Sequence, residues 1–124
     1  MKTPRDSIVW EDGPHHHGCA YHKVATYDVD GNRMRIEVFV MPAVSSTCPV
    51  RIAVNSSRLA DPEHLALNDP GDADSHLTAI DDRLKKLGLS SVLAAYCAGD
   101  VVALIKRDAE NIRATQRELQ ARRR

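Results

Sequence analysis

Two runs of alternating residues flank Asp30-Gly31-Asn32, and this feature narrows the possible folds of the 124-residue chain more than any other. Asp-Gly accepts the positive φ values that a tight two-residue turn demands. With Asp30 and Gly31 at the centre of the turn, residues 21–29 pair antiparallel with residues 33–41. Tyr27 then faces Met34, Ala25 faces Ile36 and Tyr21 faces Val40, which makes one mostly apolar face. On the other face Asp28 meets Arg33, Thr26 meets Arg35 and Val24 meets Glu37, a mostly polar and charge-matched set. A slip of one residue would scramble both faces, so the pattern fixes the register. After a proline-bounded loop at 42–49, Val50, Ile52 and Val54 alternate with Arg51, Ala53 and Asn55, which predicts a third strand continuing the sheet as a meander.

Helical signals follow. Asp61-Pro62-Glu63-His64 reads as the start of a short helix, with Asp61 as N-cap and proline in the first turn. Asn68-Asp69-Pro70-Gly71 ends it. Leu77, Ile80, Leu84 and Leu87 recur at helical spacing, with Asp74 or Ser75 as cap and Gly88 beyond the end, which predicts a helix over 76–88. In the last third, Leu93, Cys97, Val101, Ile105, Ala109, Ile112 and Leu119 trace one stripe that Gln116 interrupts. Gly99-Asp100 is a candidate break in it. Beyond Lys106 the apolar residues thin to Ile105, Ile112 and Leu119, seven apart, with Asp108 and Thr115 at seam positions that a strong coiled coil fills with apolar side chains.

Strands followed by helices spell an α+β domain. The expected architecture is a three-stranded antiparallel meander with helices packed on one face, occupying 19–124, and a long C-terminal helix projecting beyond about residue 107. Residues 1–18 form an expected flexible arm, in which only Ile8, Val9 and Trp10 could pack, as a short strand or docking segment. A domain of this length builds a core without metals or disulfides. At 4% aromatic residues that core must be mainly Val, Ile, Leu and Ala, which argues against a stacked-aromatic platform for single-stranded nucleic acid. Cys19, Cys48 and Cys97 are odd in number and widely spaced, which is no disulfide framework. With no apolar leader or membrane-length run, the expectation is a cytoplasmic protein without a membrane partner, and the preference for Arg over Lys suggests a bacterial source. The net charge is zero, yet 59–82 carries acids without a single Lys or Arg while the residues after 101 are rich in Arg. These two regions should attract one another, within one chain or between chains.

Three constellations bear on function. His15, His16, His17, Cys19 and His22 supply imidazole and thiolate, the ligands that zinc, nickel and copper prefer, although no second pair completes a tetrahedral set. Asp69, Asp72 and Asp74 are closely spaced oxygen ligands, but counting from Asp72 puts Leu77 and Arg83 where a calcium-binding EF-hand loop needs glycine and glutamate. Arg113, Arg117 and Arg122 to Arg124 could contact phosphate, while the helix dipole and the Glu118–Arg122 spacing account for them equally well. Zero net charge and few aromatics disfavour nucleic acid. No nucleophile elbow, P-loop, dinucleotide fingerprint or zincin motif is present, so no enzyme is expected. The expected function is a small non-enzymatic protein-interaction module. It would bind an unidentified protein, or weakly self-associate, through Ile105, Ile112, Leu119, Arg113 and Arg117 on the C-terminal helix. The alternatives are transition-metal binding by the His/Cys cluster, zinc being the foremost cofactor, and phosphate or nucleic-acid binding by the C-terminal arginines.

Overall fold

A computed structural model describes residues 9–13, 21–29, 32–41, 48–57 and 59–122. Five antiparallel strands lie side by side in chain order: β1 (Glu11–Asp12), β2 (Tyr21–Val29), β3 (Asn32–Val40), β4 (Val50–Ser56) and β5 (Glu63–Leu67). A 3-10 helix (Pro70–His76) leads into α1 (Leu77–Lys86), α2 (Ser91–Arg107) and α3 (Ala109–Arg122). The α+β class and the meander are as expected, but the sheet has five strands where the sequence predicts three.

The hairpin register matches the expectation pair for pair: Tyr27 opposite Met34, Ala25 opposite Ile36, Tyr21 opposite Val40, and Asp28, Thr26 and Val24 opposite Arg33, Arg35 and Glu37. The Asp30-Gly31 turn itself lies outside the described residues. Register carries the inner face across the sheet, so Tyr21, Val40, Val50 and Leu67 form one cross-strand row. Lys23, Val38, Ile52 and Leu65 form the next. Met34, Ile36, Val38 and Val40 are wholly buried there, each aliphatic side chain contributing roughly 1.5–3 kcal/mol by leaving water.

The two unexpected strands are both edges. β1 falls within the stretch expected to be an arm, and pairs Glu11 with Val24 and Asp12 with Lys23. β5 replaces the predicted short helix at Asp61-Pro62-Glu63-His64. The reason is spacing: strand geometry puts Leu65 and Leu67 on one face, opposite Ile52 and Val50, whereas residues two apart on a helix diverge. Pairing with β4 overrides the local capping signal. Asp69, expected to end a helix, instead begins one, its Oδ1 accepting from Gly71 N at 2.9 Å.

The helices cover one face only. α1 starts after His76, without a side-chain cap, and buries Ile80 and Leu84. Its end is closed by Gly88, whose φ of 93° suits glycine, with Gly88 N donating to Lys85 O. Ser90 then caps α2, its hydroxyl accepting from Leu93 N at 3.2 Å. α2 runs unbroken through Gly99-Asp100, and the break comes at Asp108 instead.

The largest correction concerns the C-terminal helix. It does not project beyond residue 107: α3 lies against β2 and β3 and buries Ile112, Thr115 and Leu119 in the single core. The polar residues that thin its stripe are what fix it in place. Tyr21 OH donates to Asp108 Oδ2 at 2.8 Å, at the bend between α2 and α3. Thr115 Oγ1 donates to Asn111 O at 3.0 Å. Gln116 Nε2 donates to both Cys48 O (2.8 Å) and Asn68 O (3.0 Å), tying α3 to the ends of two loops.

The acidic and basic regions do meet, within the chain. Lys106 pairs with Asp74 at 2.8 Å and Arg113 with Asp69 at 3.3 Å, both in solvent, where such pairs contribute about 0–1 kcal/mol. Among the described residues no helix is long and apolar enough to cross a membrane.

Candidate ligand-binding face

The residues singled out by the sequence are scattered. Ile105, Ile112 and Leu119 sit in the chain's own core at 0%, 0% and 2% exposure, so in this fold they present nothing to a second chain. Arg113 bridges Asp69 and Glu110 and lies over Gly71, and Arg122 pairs with Glu118. Arg117 lines a shallow recess with Cys48, Asn68, Arg113, Gln116 and Gln120. Of the metal-ligand candidates, His15, His16, His17 and Cys19 lie outside the described residues. His22 is described and is engaged with Glu37, its Nε2 2.9 Å from Glu37 Oε1. Among the described residues no three His, Cys, Asp or Glu side chains converge as a metal site. Cys48 and Cys97 are buried.

What the fold assembles instead is the outer face of the sheet. An antiparallel sheet with one solvated face is ordinary, and its solvated side is normally polar. Here the register puts His22, Phe39, Arg51 and Ala66 in one outward row, with Val24, Glu37, Ala53 and His64 in the next. Phe39 meets the His22 ring edge-on, with centroids 5.6 Å apart, and the small Ala53 leaves a hollow beside them. His22, Glu37, Phe39, Met41, Ala53, Pro62 and His64 line a recess of ≈ 190 Å³, large enough for one aliphatic side chain.

The His22 ring is held from three sides. Its side chain is only 8% exposed, against 25% for Glu37. Gly13 N donates to His22 O at 2.9 Å, and a Cβ at Gly13 would fall 2.5 Å from His22 Nδ1, so the turn after β1 needs glycine to press against the imidazole. Glu37 Oε1 also accepts from Arg35 at 3.3 Å. The carboxylate therefore orients an imidazole and a guanidinium at once, a fixed wall for the recess.

Farther along the strands the face turns cationic. Thr26, Arg33, Arg35, Asn55, Ser56 and Ser57 surround a second, more open recess of ≈ 320 Å³. Arg51 stands in the same row as Phe39, between Phe39 and Ala66.

Sequence reasoning missed this site, although one signal was present. In the register derived from the hairpin, Phe39 falls on the polar face opposite His22, where a large aromatic has no core to enter.

On the opposite side of the sheet, burial and the Asp108 carboxylate hold the Tyr21 phenol above its ordinary range. Burial pushes the Asp108 carboxyl up, but hydrogen bonds from Arg107 and Tyr21 outweigh it and hold that carboxyl below the ordinary carboxylate value. This pair locks α3 to β2 and faces away from the outer recess.

Comparison with protein-family models, with curated proteins and with solved structures finds no match to this chain.

Proposed function

We propose that this protein is a non-enzymatic protein-interaction module whose partner-facing surface is the face of the sheet that no described helix covers. Its occupant is an acidic, extended segment of a partner protein that places one apolar side chain in the recess between Phe39, Met41, Ala53 and Pro62. The observation that carries this reading is an apolar hollow on the face that no described helix covers, with Arg33 and Arg35 farther along the strands and Arg51 beside Phe39. An apolar anchor in a pocket with charged groups around it is how small interfaces concentrate their binding energy. Charge complementarity selects the acidic partner: the described ionised side chains pointing outward from β3 and β4 are Arg33, Arg35, Arg51 and Glu37, and Glu37 is already shared between Arg35 and His22.

The blocked dipeptide N-acetyl-leucyl-glutamate amide presents an isobutyl group beside a carboxylate and serves as the probe. Titrated into the full chain, it should perturb the NMR signals of Phe39, Met41, Ala53 and His64 together and saturably. Met41→Glu puts a carboxylate at the rim without touching the inner core, and should remove that response while leaving the fold intact. Equal binding by Met41→Glu, or perturbations confined to the helices, would refute the reading.

A further inference from the structure

The open recess at the turn end of β3 is built from hydrogen-bond donors, and we infer that it is a subsite for an oxyanion, phosphate or carboxylate, carried by the acidic partner segment that occupies the outer face. The inference rests on the proposed use of that face and adds the chemistry of its charged end.

Thr26, Arg35 and Asn55 form one outward cross-strand row. Arg33 and Ser57 stand in the next, joined by two hydrogen bonds: Ser57 N donates to Arg33 O at 3.0 Å, and Arg33 N donates to Ser57 Oγ at 3.1 Å. Adjacent strands lie about 4.8 Å apart and same-face neighbours on one strand about 7 Å apart, so two flexible guanidinium groups reach a single tetrahedral anion from two sides. Each guanidinium carries five N–H donors in a planar fork suited to phosphate and carboxylate oxygens. Arg35 gives one donor to Glu37, at a long 3.3 Å, and keeps the rest.

Asn55 is suited to the same task. Its Oδ1 accepts from Ser56 N at 2.9 Å, which assigns the oxygen to the backbone and leaves the N–H₂ as the donor that this lining residue can offer. Thr26 adds a hydroxyl at the rim. The volume of ≈ 320 Å³ admits a phosphate with part of its hydration.

The test is an NMR titration of the full chain with inorganic phosphate, and separately with acetate, at constant ionic strength held with chloride. Saturable shifts of the Arg33 and Arg35 side-chain N–H groups and of the Asn55 amide are expected. The double variant Arg33→Gln, Arg35→Gln should bind at least about tenfold more weakly, since hydrogen bonds to charged groups are the strong ones. Saturation by phosphate alone assigns a phosphoryl group, saturation by acetate alone a carboxylate, and equal saturation by both a subsite that takes either oxyanion. Linear shifts without saturation, or unchanged binding by the double variant, would overturn the subsite. Phosphate displaced by a short DNA duplex, with a steep salt dependence, would overturn it in favour of nucleic acid. Phe39→Ala separates the two claims: it should abolish capture of uncharged N-acetyl-leucine amide in the apolar hollow while phosphate binding persists. If the amide binds wild type but phosphate does not, the subsite fails and the apolar recess stands.

Discussion

The two faces of one sheet carry different tasks in this protein. On the inner face Met34, Ile36, Val38 and Val40 alternate without interruption and are sealed under three helices. On the outer face, the intervening Arg35, Glu37 and Phe39 are at most partly buried, and they build a hollow flanked by cations. Strand alternation makes the division possible, because neighbours along β3 point in opposite directions and can be tuned independently. The lesson is that stability and recognition are separated here by a single residue step.

That separation can be broken deliberately. The largest effect should come from Ile36→Ala, which opens a cavity in the sealed face and should cost about 2–5 kcal/mol in denaturant unfolding. If it costs less than 1 kcal/mol, the inner face is not the core.

A smaller loss is expected where α3 is pinned to the sheet. Tyr21→Phe removes the hydroxyl that donates to Asp108 and should cost about 1–3 kcal/mol. The same pair sets the pH window. Asp108 titrates lower when folded, so its contribution is complete above about pH 4 and is lost as the pH falls through the folded value. Tyr21 titrates higher when folded, so its contribution is complete below about pH 10 and is lost as the pH rises beyond it. Stability against pH should therefore flatten on the acid side in Asp108→Asn and on the alkaline side in Tyr21→Phe. Identical profiles for wild type and variants would contradict the pinning.

Weaker still are the solvent-exposed pairs Lys106–Asp74 and Arg113–Asp69. Alanine at Lys106 should change stability by at most about 1 kcal/mol, and the difference should shrink in high salt. Smallest of all is Arg51→Ala on the outer face, which should stay within about 0.5 kcal/mol of wild type while weakening capture of an acidic peptide.

How legible each region is in the sequence depends on where its partners lie. The two strands of the hairpin and their register are legible because the strands are close neighbours in the chain and alternation leaves a single acceptable register. The helix at 77–86 is legible from Leu77, Ile80 and Leu84, although its cap is not where Asp74 or Ser75 suggested. β5 is hidden because Asp61-Pro62-Glu63 is a good local helix start, and only β4, more than ten residues earlier, tells Leu65 and Leu67 to share a face. α3 is misread for the same reason. Asp108, Thr115 and Gln116 look like solvent-facing interruptions until Tyr21, Cys48 and Asn68 are brought to them from far along the chain. The recess needs β2, β3, β4 and Pro62 together, and Phe39 on the polar side of the hairpin is its one trace in the sequence.

The most direct measurement of the division between faces compares Ile36→Ala with Phe39→Ala, each assayed for unfolding and for N-acetyl-leucyl-glutamate amide binding. Ile36→Ala should lose about 2–5 kcal/mol of stability and still bind the dipeptide under conditions where it is folded. Phe39→Ala should lose about 1–3 kcal/mol, its edge contact with His22 together with the apolar area the ring covers, and bind at least about tenfold more weakly, a difference of roughly 1.4 kcal/mol. A Phe39→Ala protein that binds as wild type does, or an Ile36→Ala protein that folds normally but no longer binds, would contradict the account.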